Sequence, residues 1–110
     1  MEELLLLEPQ EIFNDMIIGV SYSPHAVVYD KDKIVEYWTR EFARINPELT
    51  QEEAYHMALE HFEFNTQSPY VGEHTPVFVS LQDREILLDQ ISANSSKNII
   101  KVKNYVFPEI

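Results

Sequence analysis

The sequence predicts an α+β fold: a small sheet of two to three short strands packed with about four helices, two of which form a central helical hairpin. Three observations predict it. Apolar residues at 34, 35, 38, 42 and 45 recur at helical spacing, and Asn46-Pro47 closes the run because the residue before proline avoids the helical region. Just beyond, Thr50-Gln51-Glu52-Glu53 has the form of a capping box that opens a second helix. Short apolar runs at 26–29 and 76–81 flank this pair and read as strands. The chain's 110 residues, 45% of them apolar, suffice for one core, and 1–110 reads as a single domain.

The elements follow in order. Leu4–Leu7 is too short a run to cross a membrane and reads as a segment docked on the core. A first helix is expected from Pro9 to Ile18, with Ile12, Phe13, Met16 and Ile17 as its stripe and Gly19 as its C-terminal cap. A strand over 16–22 competes with it, because Ile17, Ile18, Val20 and Tyr22 are strand formers. Ser21 to Pro24 is expected to turn, and Ala26-Val27-Val28-Tyr29 to form a buried strand. Asp30 or Asp32 then caps a helix through Ile45, with Ile34, Val35, Trp38, Phe42 and Ile45 facing the core. The next helix runs to about Phe64, with Ala54, Met57, Ala58, His61 and Phe62 inward, antiparallel to its predecessor across a short loop. Residues 65–76 read as irregular, Pro76 to Leu81 as a strand and Asp83 to Ile91 as a fourth helix. Ile99 to Val106, where Lys101 and Lys103 alternate with Ile100 and Val102, reads as a third strand.

Composition excludes several function classes. With no Cys there is no disulfide, thiolate metal site or cysteine nucleophile, and a reducing, cytoplasmic compartment fits. The start, Glu2-Glu3, lacks the positive charge of a secretion signal. A net charge of −11 disfavours direct contact with nucleic acid or anionic membranes. The charge is also uneven. Between Arg44 and Arg84 stand Glu48, Glu52, Glu53, Glu60, Glu63, Glu73 and Asp83 without one Lys or Arg, whereas Lys97, Lys101 and Lys103 cluster near the C-terminus. A folded chain of this kind presents one negative surface and one small positive edge.

No complete catalytic motif is present, so no enzyme and no cofactor is expected. Ser23 and His25 are neighbours in a turn without a nucleophile elbow. His56 and His61 are five residues apart, whereas the zinc-protease helix sets its two histidines four apart on one face. Two isolated glycines make no phosphate cradle. Glu53, His56, Glu60 and Glu63 do share a helical face, and Glu53-Ala54-Tyr55-His56 has the Glu-x-x-His form of di-iron bundles. Such bundles need two of these motifs and further glutamates, so Glu53, His56 and Glu60 could hold a metal only in a homodimer. The loop before the 76–81 strand offers Asn65, Tyr70, Gly72, Glu73 and His74 as candidate binding groups, with Gly72 supplying a turn.

Glu63-Phe64-Asn65, Val71-Gly72-Glu73 and Thr75-Pro76-Val77-Phe78-Val79 resemble a family of small phage and bacterial proteins. Upstream, Phe13-Asn14-Asp15, Ile18-Gly19-Val20, Val27-Val28-Tyr29-Asp30 and Thr50-Gln51-Glu52-Glu53-Ala54 extend the likeness. It spans about residues 12–80 and leaves 81–110 as a helix–strand extension. Ser68-Pro69-Tyr70 departs from the Gly-Ala-Trp of that family. The resemblance implies a phage or bacterial cytoplasmic setting and carries over no catalytic residue. Physically, Asn65 stands at a helix end, where its amide can tie the following loop to the 72–73 turn.

Three functions are therefore expected in turn. The first is a non-enzymatic module whose Glu52, Glu53, Glu60, Glu63 and Glu73 meet a basic protein surface. The second is a metal-binding homodimer, and the third a structural protein that pairs through Leu4–Leu7 or the 99–106 strand.

Overall fold

A computed structural model describes residues 4–67 and 72–94. The expected strand at 99–106, Tyr70 and the lysines at 97, 101 and 103 lie outside them. The described chain is α+β, with a three-stranded mixed sheet in the order β1-β2-β3.

The first helix is far shorter than its stripe suggests. Helix α1 spans Gln10–Phe13, and a single 3₁₀ turn, Asn14–Met16, delivers the chain into strand β1, Ile17–Tyr22. The competing strand reading is the correct one. Residues 17–22 gain a ladder with strand β2, His25–Asp30, and no local helical propensity among β-branched residues offsets that. Gly19 is consequently not a helix cap. It sits opposite Val28 beside a bulge after Ile17, a common place for a strand glycine. The bulge shifts the register, so that Ile17 pairs with Tyr29 and Val20 with Val27.

Strand β2 is buried along almost its whole length and ends in Asp30, whose side chain caps helix α2, Lys31–Ile45. Asp30 Oδ1 accepts from the amides of Asp32 (3.0 Å) and Lys33 (3.3 Å), two donors the first helical turn cannot satisfy itself. Ile34 and Val35 are buried and Trp38 and Phe42 half-buried, but Ile45 is 67% exposed because it lies where the chain turns off the helix.

Helix α3, Gln51–Phe62, opens with the expected capping box. Thr50 Oγ1 accepts from the Glu53 amide (3.1 Å), and Glu53 Oε1 accepts from the Thr50 amide (2.9 Å). Its buried line is Ala54, Ala58 and Phe62, spaced four apart; Met57 stands off that line and is exposed. Lys31, at the start of α2, lies over the ring of Phe62, at the end of α3, so the two helices run antiparallel. Beyond Phe62 the helix does not dissolve into loop at once. Glu63–Gln67 continue it as a π-helical turn.

The α2–α3 hairpin is the crossover between parallel neighbours β2 and β3, Val77–Val79, with Tyr29 beside Phe78. Gly72, at φ 120°, makes the turn that leads into β3. The core gathers Phe13, Met16, Val27, Tyr29, Ile34, Val35, Ala58 and Phe62, with Leu4 and Leu7 packed on it. Of the N-terminal leucines, Leu4 and Leu7 thus dock as expected while Leu6 is exposed, and the Leu7 amide donates to the Tyr29 hydroxyl at 2.8 Å. Helix α4, Arg84–Asn94, is capped by Asp83, and its residues through Ala93 are exposed. No helix among the described residues is long and apolar enough to cross a membrane.

The capping box makes a pH prediction. Its hydrogen bond to the Thr50 backbone holds the Glu53 carboxyl below the ordinary glutamate value of 4.5. A depressed folded value means that the contribution is fully present above pH 4.5 and lost as the pH falls below it. Stability curves of wild type and Glu53→Gln, followed by circular dichroism, should therefore converge as acid is added. Thr50→Ala should cost about 1 kcal/mol at neutral pH.

Candidate functional site

Helix α3 buries one side and leaves the other to solvent. On the outer side Glu52, Glu53, His56, Glu60 and Glu63 are all exposed, opposite the Ala54–Ala58–Phe62 line. The 3.6-residue period brings residues 52, 56, 60 and 63 into one stripe, with Glu53 at its margin. Four carboxylates and one imidazole therefore share one wet face.

Two arginines of α2 are each held by a carboxylate of their own helix. Arg40 pairs with Glu36 one turn away on its own helix, at 2.7 Å. Arg44 makes two hydrogen bonds to Glu41, at 2.9 and 3.2 Å. That contact lowers the Glu41 pKa and raises that of Arg44, because each charged form is stabilised by its partner. On the α3 face the contact is His56 Nε2 at 3.8 Å from Glu52 Oε1, which joins opposite charges only when the ring is protonated.

The remaining candidates distribute differently. Glu73 is exposed but belongs to the 72–75 turn before β3, a different element from the α3 stripe. In the same turn, His74 Nδ1–H donates to the His25 carbonyl at 2.6 Å, and the Thr75 hydroxyl donates to the Gly72 carbonyl at 2.6 Å. His74 therefore ties the turn to the start of β2. The Asn65 amide meets His61 Nδ1 at 3.2 Å, so it locks the π-helical turn onto α3 and not onto the 72–73 turn. Of the residues that could form a Glu-x-x-His centre, Glu53 is committed to the cap of its own helix. Among the described residues no group of three or more His, Asp or Glu side chains is placed to hold a metal ion.

In the sequence Trp38 and His61 belong to two helix stripes, and His61 also stands five residues from His56, with nothing to connect it to Trp38. Their rings lie 4.3 Å apart and line a cleft between the N-terminal segment, α2 and the π-helical turn. The aromatic at 38 and the amide at 65 were visible separately, but nothing local joins residues so far apart in the chain. No family model, curated protein or solved structure matches the chain.

Proposed function

We propose that the chain is a non-enzymatic, acidic protein-binding module, a phage-type protein that occludes a basic surface on a host nucleic-acid-handling or defence protein in the bacterial cytoplasm. The observation that carries this reading is the outer stripe of α3, where Glu52, Glu60 and Glu63 stand exposed with the neighbouring arginines paired to other carboxylates. Such a stripe presents a negative potential to a Lys- and Arg-rich partner. Its main effects are on encounter rate, orientation and choice of partner. The phage setting comes from the sequence likeness and the basic partner from the charge.

Charge-led recognition is sensitive to salt, because the screening length falls from about 30 Å at 0.01 M to about 8 Å at 0.15 M. The immobilised chain should retain a basic protein from bacterial lysate at low salt and release most of it at moderate salt. The Glu52→Gln/Glu60→Gln/Glu63→Gln variant should retain much less at low salt. No retained protein at either salt, or undiminished retention by the triple variant, sinks the reading.

A further inference from the structure

A second feature of the molecule has chemistry that the acidic stripe does not use. Where the N-terminal segment crosses α2 and the end of α3 lies a cleft of about 310 Å³, at the small end of the ligand-pocket range of about 300–1,000 Å³. Phe13 and Pro76 give it apolar walls, and the half-buried rings of Trp38 and His61 give it an aromatic one. Glu8, Asn65 and Thr66 add polar groups at its edge.

Two observations mark this cleft as more than a packing defect. The Trp38 Nε1–H is buried and has no hydrogen-bond partner among the described residues. Buried donors are nearly always paired, so this one calls for an acceptor. In addition, Asn65 and Thr66 belong to the π-helical turn, a departure from α-helix that recurs at functional sites. Asn65 is braced there by His61, itself a cleft wall.

The chemistry narrows the ligand. Aromatic walls favour a flat π-faced molecule. The indole asks for an acceptor, and the carboxylate, amide and hydroxyl can take up donors and acceptors together, the combination displayed along the edge of a base. No Lys or Arg is among the described residues lining the cleft, Glu8 is, and the chain carries −11, so an anionic phosphate is disfavoured. We infer that this cleft binds a neutral, planar heterocycle of nucleobase size, free of phosphate, which accepts a hydrogen bond from Trp38 Nε1. Binding requires the half-buried indole to turn, because its N–H is enclosed in the free chain.

Trp38 is the only tryptophan, so its fluorescence reports on the cleft directly. The whole chain is titrated with adenosine and with cytidine, with adenosine monophosphate as the charged control, and melting is followed in parallel. At least one nucleoside should change the fluorescence saturably and raise the melting temperature, and the monophosphate should bind more weakly. Trp38→Phe keeps an aromatic wall and removes the donor, and by calorimetry it should bind the same nucleoside about tenfold less tightly. Should that variant not fold, Asn65→Ala/Thr66→Val takes its place with the same expectation. Silence from both nucleosides at millimolar concentration, equal binding of the monophosphate, or undiminished binding by the folded variant overturns the inference.

Discussion

Phe62→Ala should unfold the protein more readily than any surface change, with a loss of about 3–5 kcal/mol and a fall in melting temperature on the order of 15–25 °C. Phe62 is completely buried and stands where three elements meet. Its ring is edge-on to Phe78 of β3 at 5.1 Å, and Lys31 of α2 covers it at 5.7 Å. Phe78 in turn stacks on Tyr29 of β2 at 5.9 Å. Truncation therefore opens a cavity where the helical hairpin packs on the parallel strand pair, and rigid strands on one side limit its collapse. Phe64→Ala, two residues on, is the matched control. It is 74% exposed and should change stability by no more than about 0.5 kcal/mol. Chemical denaturation of both variants measures the contrast. Similar losses for the two would show that the hairpin is not anchored through Phe62.

The same junction shows what the sequence could and could not convey. Helices α2 and α3 were legible because their signals are local: an Asp cap, a Thr–Glu box, stripes at three and four, and Asn46-Pro47 between them. The parallel pairing of β2 with β3 could be posed from strand, hairpin, strand order, though not its register. Residues 9–18 misled because Ile12, Phe13, Met16 and Ile17 satisfy a helical period. What decides their structure is a partner strand some ten residues away, and periodicity does not contain that. Ile45 and Met57 kept to the stripes on paper but lie off the contact between the helices. The π-helical turn at 63–67 left no sequence signal at all. For the candidate site, the glutamate spacing on α3 was readable, since 3.6-residue geometry follows from sequence. The pairing of Arg40 with Glu36 and of Arg44 with Glu41 follows the same helical spacing, at i,i+4 and i,i+3, whereas the placement of Glu73 on another element depends on chain path, which spacing does not fix.

Reversing the acidic stripe tests whether position or mere net charge governs recognition. In Glu52→Lys/Glu60→Lys/Glu63→Lys the fold should survive, because all three side chains are exposed and changes at such sites usually stay within about 0.5 kcal/mol each. Glu53 is left alone, since its carboxylate holds the cap of α3 and its loss would mix stability with binding. Association with the basic partner retained by the wild-type chain should slow by about 10- to 1,000-fold at low salt, the span that electrostatic steering covers. The difference should shrink as salt is added. Most of the effect belongs in the association rate, because exposed charges at a rim guide encounter more than they hold the complex. A second triple, Glu11→Lys/Asp15→Lys/Glu85→Lys, shifts the net charge of −11 by the same amount from exposed positions on other elements. If the stripe is the contact surface, this second set slows association far less than the first. If the two sets slow it equally, the partner senses only the overall charge of the molecule, and the outer face of α3 has no special part in binding.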